Sequence, residues 1–589
     1  MVVLVRSRAG SASNLVARLP RVSGPAIVQG DRSVLLEVAH PEFESARRLL
    51  ATFAELEKSP EHIHTYRISE LSLWNAAAAG ATADGIVATL ERLSRYPVPQ
   101  AALADVRDLC ARYGRLKLTD GEAGLLHLVS DEPSLLAEVS RAEPVADLLR
   151  GRPSPTEATL SPIARGPLKQ ALIEIGWPVE DLAPYEDGAS LELELAGSLE
   201  LRDYQRLAAR TFNESGAGVL VLPCGAGKTI VGLAAIAEQG AETLIVTSNS
   251  ASLSQWRAEL IEKTTVPAEA IGEYSGQRKE IRPVTLTSYQ MLTHRPRRGG
   301  GFPHLELFEQ REWGLVIYDE VHLLPAPVFR ATARIQARRR LGLTATLIRE
   351  DGAEPLVFSL VGPKRYDTAW HELERQGWIA SAECVEVRVP LPERRRMDYA
   401  LADERERFRI ASANPAKEGA VHDALGRHPG AQALVIGYYL DQLKRIAASL
   451  GAPLITGKTP RHERDALFER FRGGGIGVLC VSKVANFALD LPSASVAVQV
   501  SGTFGSRQEE AQRLGRLLRP KPGDNRAHFY TLVSHETSEQ EFAHKRQRFL
   551  AEEGYRYTVL FPAELAGEDC PAKGAAAERP DRSLGRRAA

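Results

Sequence analysis

A glycine-rich stretch, "LPCGAGKTIVG" at residues 222–232, has the residue types needed to hold a phosphate chain. An apolar run rich in β-branched residues precedes it at 218–222, and residues 228–240 place apolar side chains at helical spacing before a glycine. Small residues between a strand and a helix let backbone N–H groups close around phosphate oxygens. The stretch predicts a phosphate-binding loop, although Leu222 stands where the strict pattern has its first glycine. The loop residues are Pro223, Cys224, Gly225, Ala226 and Gly227.

The two residues that follow this loop extend the pattern to a bound nucleotide. Lys228 would reach the β- and γ-phosphates of ATP, and Thr229 would offer its hydroxyl to Mg²⁺. Taken alone, the same letters would also fit a fortuitous glycine-rich turn between a strand and a helix.

A second chemical motif, "DEVH", lies at the end of the apolar run 314–322. This run is one of several short apolar segments (243–248, 284–288 and 340–346 are others) whose alternation with helical or loop segments predicts a parallel α/β sheet. Ligands bind at the carboxyl ends of such strands. Asp319 would hold Mg²⁺, and Glu320 would orient or deprotonate an attacking water. An acidic turn after a buried strand is common, but the two motifs together predict ATP hydrolysis.

Extra positive charge for phosphoryl transfer occurs much later, in "QEEAQRLGRLLRPK" at residues 508–521. It follows a second strand series that lacks a phosphate loop (433–437, 453–456, 476–482 and 494–501). Arg516 and Arg519 lie three residues apart and would share one helical face. They are either a solvated basic face or a pair of arginine fingers reaching the γ-phosphate across a cleft between two lobes.

The composition restricts the class of protein. The chain has 589 residues, enough for several domains, and a formal net charge of −1, so any nucleic-acid surface must be local. Its five cysteines are scattered without a CxxC pair, which argues against a disulfide framework or a zinc site and for a reducing compartment. There is no apolar run of membrane-spanning length and no convincing signal sequence. We therefore expect a cytoplasmic protein without a membrane partner.

Several stretches together resemble one family. "DEVH", "LTAT" (343–346) and "QRLGRLLR" are similar to motifs of superfamily two helicases. "LIREDG" (347–352), "VSKVANFALDLPSASVAVQVSG" (481–502) and "HKRQRFLAEEGY" (544–555) resemble the XPB-type DNA helicases, and residues 65–99 resemble the N-terminal domain of their bacterial form. The resemblance covers roughly residues 27–561.

This resemblance implies roles for further residues. Gln205 would recognise adenine, and Gln512, Arg516 and Arg519 would close the nucleotide site from the second lobe. His322, Thr344 and Thr346 would couple that site to DNA. Arg349, Glu350 and Asp351 match the family's RED motif, which is implicated in opening duplex, and Asp490 fits a late interlobe motif. "ANFALD" (485–490) stands where relatives often have a Gly-Asp-Thr type of sequence, a departure that bears on coupling of the second lobe.

The expected fold is α/β: two RecA-like parallel-sheet lobes forming a helicase core, preceded by a mixed α+β N-terminal region with a winged-helix-like segment. That segment is predicted from three helical patterns followed by a hairpin around "GEAG" (121–124), and a scaffold domain without DNA contact is the alternative. The predicted domains are 1–64, 65–150, a small damage-recognition-like segment at 151–198, the lobes 199–365 and 366–562, and a disordered tail at 563–589. Residues 390–417 resemble the family's thumb-like insertion, although a solvated helix pair would look the same.

Two functions remain open from the sequence. The first is an ATP-driven DNA helicase or translocase, 3′ to 5′ as the resemblance implies, in nucleotide excision repair or duplex opening. Its partners would be single-stranded or forked DNA and a nuclease or repair accessory protein. The second is a nucleotide-gated DNA-binding switch that recruits repair or transcription partners. Glu320 and the two arginines favour the motor, because a switch tolerates slow hydrolysis. RNA is a further alternative substrate that the resemblance disfavours.

Overall fold

A computed structural model describes residues 24–58, 62–223, 225–295, 302–336, 338–345, 352–368, 370–482, 494–501, 526–541, 543 and 556–567. The chain divides into two compact units, one reaching to residue 369 and the other starting at Trp370, with residues 224–226 grouped with the second. In the described part of the chain, no helix combines the length and the apolar character needed to cross a membrane.

The first unit begins with a small α/β module. Its elements are β1 (Ala26–Val28), β2 (Ser33–Glu37), α1 (Phe43–Leu50), β3 (Glu55–Lys58) and β4 (Ile63–Arg67), followed by the helices α2 (Glu70–Ala78), α3 (Ala83–Leu93) and α4 (Gln100–Arg112). The strands form an antiparallel sheet in the order β1-β2-β4-β3. Ser69 caps α2 by exchanging hydrogen bonds of 3.0 Å with Ser72. The Trp74 indole donates to the Leu109 carbonyl (3.1 Å), which joins α2 to α4.

A five-stranded sheet follows. Its elements are β5 (Leu116–Asp120), β6 (Leu126–Val129), α5 (Pro133–Val139), α6 (Glu143–Ala146), β7 (Leu149–Ser154), β8 (Glu157–Leu160), α7 (Arg165–Glu174) and β9 (Val179–Asp181). The strand order is β7-β8-β6-β5-β9, so the predicted hairpin β5–β6 is present but forms part of a larger sheet. The winged-helix detail is therefore not confirmed. This sheet also runs across residue 150, where a domain boundary was expected.

The rest of the first unit is a parallel sheet covered by helices. Its elements are α8 (Asp203–Ser215), β10 (Ala217–Val221), α9 (Lys228–Gln239), β11 (Thr243–Thr247), α10 (Ser250–Lys263), β12 (Ile271–Tyr274), β13 (Val284–Ser288), α11 (Tyr289–Leu292), β14 (Leu315–Asp319), α12 (Ala326–Arg334), β15 (Arg339–Thr344), α13 (Glu354–Leu360) and β16 (Lys364–Asp367). The order β12-β13-β11-β14-β15-β10-β16 is parallel throughout. Every residue of β10, β11 and β14 is buried, as expected of strands covered on both faces.

The second unit contains another parallel sheet. Its elements are α14 (Trp370–Arg375), β17 (Ser381–Val389), α15 (Glu393–Leu401), α16 (Glu404–Ser412), α17 (Lys417–Gly426), β18 (Ala433–Gly437), α18 (Leu440–Leu450), β19 (Leu454–Ile455), α19 (Arg461–Arg472), β20 (Val478–Ser482), β21 (Val496–Gln499), β22 (Arg526–Ser534), β23 (Arg556–Leu560) and α20 (Pro562–Ala566). The order is β19-β20-β18-β21-β22-β17-β23. The prediction of two parallel-sheet lobes after a mixed N-terminal region is confirmed. Three strands that the sequence patterns did not identify, β17, β22 and β23, complete the second sheet.

Candidate nucleotide site

The glycine-rich loop joins β10 to α9 at the carboxyl end of β10. Gly225 and Gly227 have φ angles of 83° and 77°, in the left-handed region that favours glycine. A Cβ atom on Gly227 would also lie 2.7 Å from Nε2 of Gln205. Backbone conformation and close packing therefore both require glycine at 227. Pro223 and Ala226 are buried, and Cys224 lies outside the described residues.

Gln205 lies against this loop from the first turn of α8. Its side chain is buried, and its Oε1 accepts a hydrogen bond of 3.1 Å from the backbone N–H of Arg202. That bond fixes the amide group at the start of the helix, with Nε2 beside Gly227. The structure thus brings together two residues that the sequence separates by most of α8 and all of β10.

Lys228 and Glu320 meet within the first sheet. β14 and β10 flank β15 in the parallel sheet, so the loop and the acidic motif lie at the same edge of the sheet, two strand positions apart. Lys228 Nζ is 3.5 Å from Glu320 Oε1, and these side chains are only 13 % and 15 % exposed. Glu320 has φ 50° and ψ 55°, a strained conformation for a residue other than glycine. Strain of this kind is frequent at functional sites.

The pKa values of the two neighbouring carboxyl groups are shifted in opposite directions. Burial, reinforced by the charge of Glu320, raises the pKa of Asp319 to about 6. Burial also acts on Glu320, but Lys228 and His322 outweigh it and hold the pKa of Glu320 below its ordinary value. Glu320 is therefore ionised at neutral pH, which a residue that orients or deprotonates water requires.

Asp319 is oriented by hydrogen bonds from two sides. Trp256 donates its indole N–H to Oδ2 (3.0 Å), and the backbone N–H of Glu320 donates to Oδ1 (3.1 Å). Tyr289 donates its hydroxyl to the Asp319 carbonyl (3.0 Å). A Cβ on Gly232 would lie 2.4 Å from the Trp256 ring, so glycine lets that indole pack against α9.

Trp256 and Tyr289 were not identified from the sequence. Neither belongs to a motif, and their contacts with Asp319 span 63 and 30 positions of the chain. The one feature of the sequence that could have pointed to them is their position, since each lies in a helix that follows a strand of the predicted parallel sheet.

His322 continues the line of contacts from the acidic motif to β15. Its Nδ1 lies 3.5 Å from Glu320 Oε2 and 2.7 Å from the hydroxyl of Thr344, the last residue of β15. Lys228, Glu320, His322 and Thr344 thus form one chain of polar contacts in which His322 and Thr344 are buried.

The donor set suits a magnesium–nucleotide complex. Thr229 and Asp319 offer the hydroxyl and carboxylate oxygens that Mg²⁺ prefers, and a cation would relieve the cost of ionising the buried Asp319. Among the described residues there is no cluster of three or more His, Cys, Asp or Glu side chains able to hold a metal by themselves. A site that holds Mg²⁺ through one or two protein oxygens together with phosphate oxygens has this character.

The remaining predicted site residues lie outside the described residues, so their positions stay predictions. They are Thr346, Arg349, Glu350, Asp351, Asp490, Gln512, Arg516 and Arg519.

A strand–loop–helix phosphate cradle, with an Asp-Glu pair two strands away in the same parallel sheet, defines a nucleotide hydrolase of the P-loop class. The second parallel sheet adds the lobe that helicases of this class contain. Three family models match the chain: "ERCC3/RAD25/XPB C-terminal helicase" at residues 373–578, "Type III restriction enzyme, res subunit" at 198–349, and "Helicase conserved C-terminal domain" at 26–153.

Curated relatives extend this match to most of the chain. The protein named DNA 3′-5′ helicase XPB from Mycobacterium tuberculosis is 56 % identical over 92 % of this chain and 99 % of its own length. Its namesake from Kineococcus radiotolerans is 54 % identical over 92 % and 98 %. A helicase/translocase subunit XPB/SSL2 of the general transcription and DNA repair factor IIH of Saccharomyces cerevisiae is 30 % identical over 91 % of this chain and 72 % of its own. The chain belongs to the XPB helicase family.

Proposed function

We propose that this protein is an ATP-hydrolysing DNA 3′–5′ helicase that acts in DNA repair or in duplex opening. The observation that carries the proposal is the polar chain Lys228–Glu320–His322–Thr344, which links the phosphate loop to the strand that leads into the predicted DNA-coupling segment. The names of the relatives, which specify a DNA 3′-5′ helicase and a repair factor subunit, support the substrate and the process.

In the nucleotide site, Lys228 and the backbone N–H groups of residues 224–227 would bind the phosphates, with Gln205 beside the loop to contact adenine. Thr229 and Asp319 would hold Mg²⁺, which neutralises charge on the transferred phosphoryl group when it is bound. The ionised carboxylate of Glu320 orients the attacking water and accepts its proton.

The second lobe would complete the site. Arg516 and Arg519 would stabilise the transition-state charge, and Gln512 would help to close the cleft. Thr346, Asp490 and residues 349–351 would carry the nucleotide state to the DNA.

The partners and location follow from the same reasoning. The nucleic-acid partner would be single-stranded or forked duplex DNA, and a nuclease or repair accessory protein would act with it. Cys110 and Cys480 are buried thiols outside any disulfide, which is compatible with a cytoplasmic protein.

An ATPase titration combined with strand displacement tests the proposal. ATP hydrolysis should be stimulated by single-stranded or forked DNA more than by RNA, and a 3′-tailed duplex should be separated whereas a 5′-tailed duplex should not. Lys228→Ala, which removes phosphate-neutralising charge, should abolish both activities. DNA-stimulated hydrolysis without separation or translocation on any substrate would favour the nucleotide-gated switch instead.

A further inference from the structure

A buried polar cluster lies at the base of the helix pair α15–α16 in the second unit. At its centre, Lys417 Nζ lies 2.8 Å from Glu539 Oε2, and these side chains are 0 % and 1 % exposed. Lys417 also donates to the carbonyls of Val500 (3.0 Å) and Ser412 (3.3 Å). Glu539 Oε2 accepts from the backbone N–H of Ser534 (2.8 Å). The ion pair therefore joins the end of α16 to the carboxyl ends of β21 and β22.

A second buried side chain joins the two ends of the helix pair to each other. Asn414 is fully buried, and its Nδ2 lies 3.1 Å from the carbonyl of Pro390, 3.4 Å from that of Val389 and 3.1 Å from Ser534 Oγ. Val389 and Pro390 lead into α15, whereas Ser412 ends α16. The start of α15 and the end of α16 are thus held at one place on the second sheet.

The helix α15 is held from this base and by its neighbour α16, whose Arg407 donates to the carbonyls of Tyr399 (3.2 Å) and Ala400 (2.9 Å). No residue of α15 is buried. Its Tyr399 hydroxyl accepts from the backbone N–H of Ser538 (2.7 Å), in the turn that also supplies Glu539. The arginines at 394–396 are exposed, and Met397 and Leu401 are 67 % and 82 % exposed. Adjacent guanidinium and apolar groups suit the phosphates and bases of a nucleic-acid strand.

We propose that Lys417 and Glu539 are positioning residues that fix the helix pair on the second sheet, so that DNA bound to α15 stimulates ATP hydrolysis. The inference rests on the proposed helicase function. Lys417 donates a hydrogen bond to the Val500 carbonyl. The chain continues from Val500 into the segment that contains Arg516 and Arg519. A charge pair with directional hydrogen bonds defines one orientation, which apolar packing would define less sharply.

The test replaces the pair by apolar residues, Lys417→Met with Glu539→Leu, because removing one partner alone strands a buried charge while replacing both is often neutral for stability. ATPase rate is measured against single-stranded DNA concentration. We expect basal hydrolysis to stay within about twofold of the unchanged protein and the DNA concentration for half-maximal stimulation to rise about tenfold. Glu418→Gln, which breaks an exposed pair with Arg445 (2.7 Å), is the control and should change neither.

A double-mutant cycle separates positioning from a merely structural role. Replacing the three arginines at 394–396 by Ala should raise the half-maximal DNA concentration, and combining this change with Lys417→Met and Glu539→Leu should add little, because both act through the same helix. Asn414→Ala, a smaller change, should reproduce the effect if the paired replacement folds poorly.

The positioning role would be overturned by an equal loss of basal and stimulated hydrolysis or by fully additive effects in the cycle. If DNA stimulates ATP hydrolysis by the unchanged protein, and the variants respond to DNA in the same way, only this inference fails. If DNA does not stimulate ATP hydrolysis by the unchanged protein at all, the proposed function fails together with this inference.

Discussion

Asp181 should be among the most stabilising single side chains of the first unit. It ends β9 and faces two buried cations of α7, with Arg165 Nη2 2.7 Å from its Oδ1 and Lys169 Nζ 2.9 Å from its Oδ2. The Tyr185 ring lies between Arg165 and Arg340, at 4.7 and 5.4 Å from their guanidinium carbons. Arg340 is buried as well, so Asp181→Asn would leave three buried cations without this anion.

The magnitude follows from the electrostatics of this cluster. Burial opposes ionisation of Asp181, but Lys169 and Arg165 outweigh it and lower its pKa from 3.8 to about 2. That difference corresponds to about 2–3 kcal/mol at neutral pH, and breaking a buried ion pair typically costs about 3–5 kcal/mol. Because the folded pKa is depressed, this stability is present above pH 3.8 and is lost as the pH falls towards 2. The difference from unchanged protein should therefore shrink as the pH falls below about 4.

Urea unfolding at pH 7.5, monitored by hydrogen exchange of residues 116–181, measures the loss of stability. With a slope of about 2 kcal/mol per molar urea, the midpoint for this segment should fall by about 1 M or more. Asp187→Asn is the matched control, since Asp187 pairs with Arg339 at 2.9 Å but is 90 % exposed, and it should hardly move the midpoint. Adding Lys169→Met to Asp181→Asn should recover part of the loss by removing one stranded cation. Equal midpoints for the two Asn variants, or no recovery, would refute this account.

Three further predictions concern the reaction. Glu320→Gln should keep ATP binding while slowing hydrolysis about 10²–10⁴-fold, so near-normal turnover would contradict its role towards water. Arg516→Ala and Arg519→Ala should each lower the hydrolysis rate with little change in nucleotide affinity, whereas loss of DNA affinity alone would identify a DNA contact. Changing residues 349–351 to Ala should spare most ATP hydrolysis but sharply reduce separation of a 3′-tailed duplex at one fixed salt concentration. Equal loss of both activities would indicate a supporting role in the fold.

The N-terminal region illustrates what local patterns miss. The periodicity of residues 116–129 identified the hairpin, because alternation of apolar residues around "GEAG" is a local property. Its pairing with β8 and β9, residues 157–160 and 179–181, depends on segments that were not recognised as strands. β9 has only three residues and β7 is largely exposed, so neither has a pattern of apolar residues strong enough to predict a strand. The winged-helix hypothesis failed to gain support for this reason.

The sequence by itself predicted the two-lobed α/β fold and the roles proposed for Lys228, Asp319 and Glu320, because a phosphate loop and a strand-end acid are defined by neighbours within a few positions. Only the tertiary structure decided that Gln205 packs against Gly227 and that Trp256 donates to Asp319. It also decided the opposite pKa shifts of the two carboxyl groups, since burial and the distance to Lys228 set them. These properties arise from how distant segments pack. Packing between residues far apart in the chain produces no pattern in the local sequence from which it could be predicted.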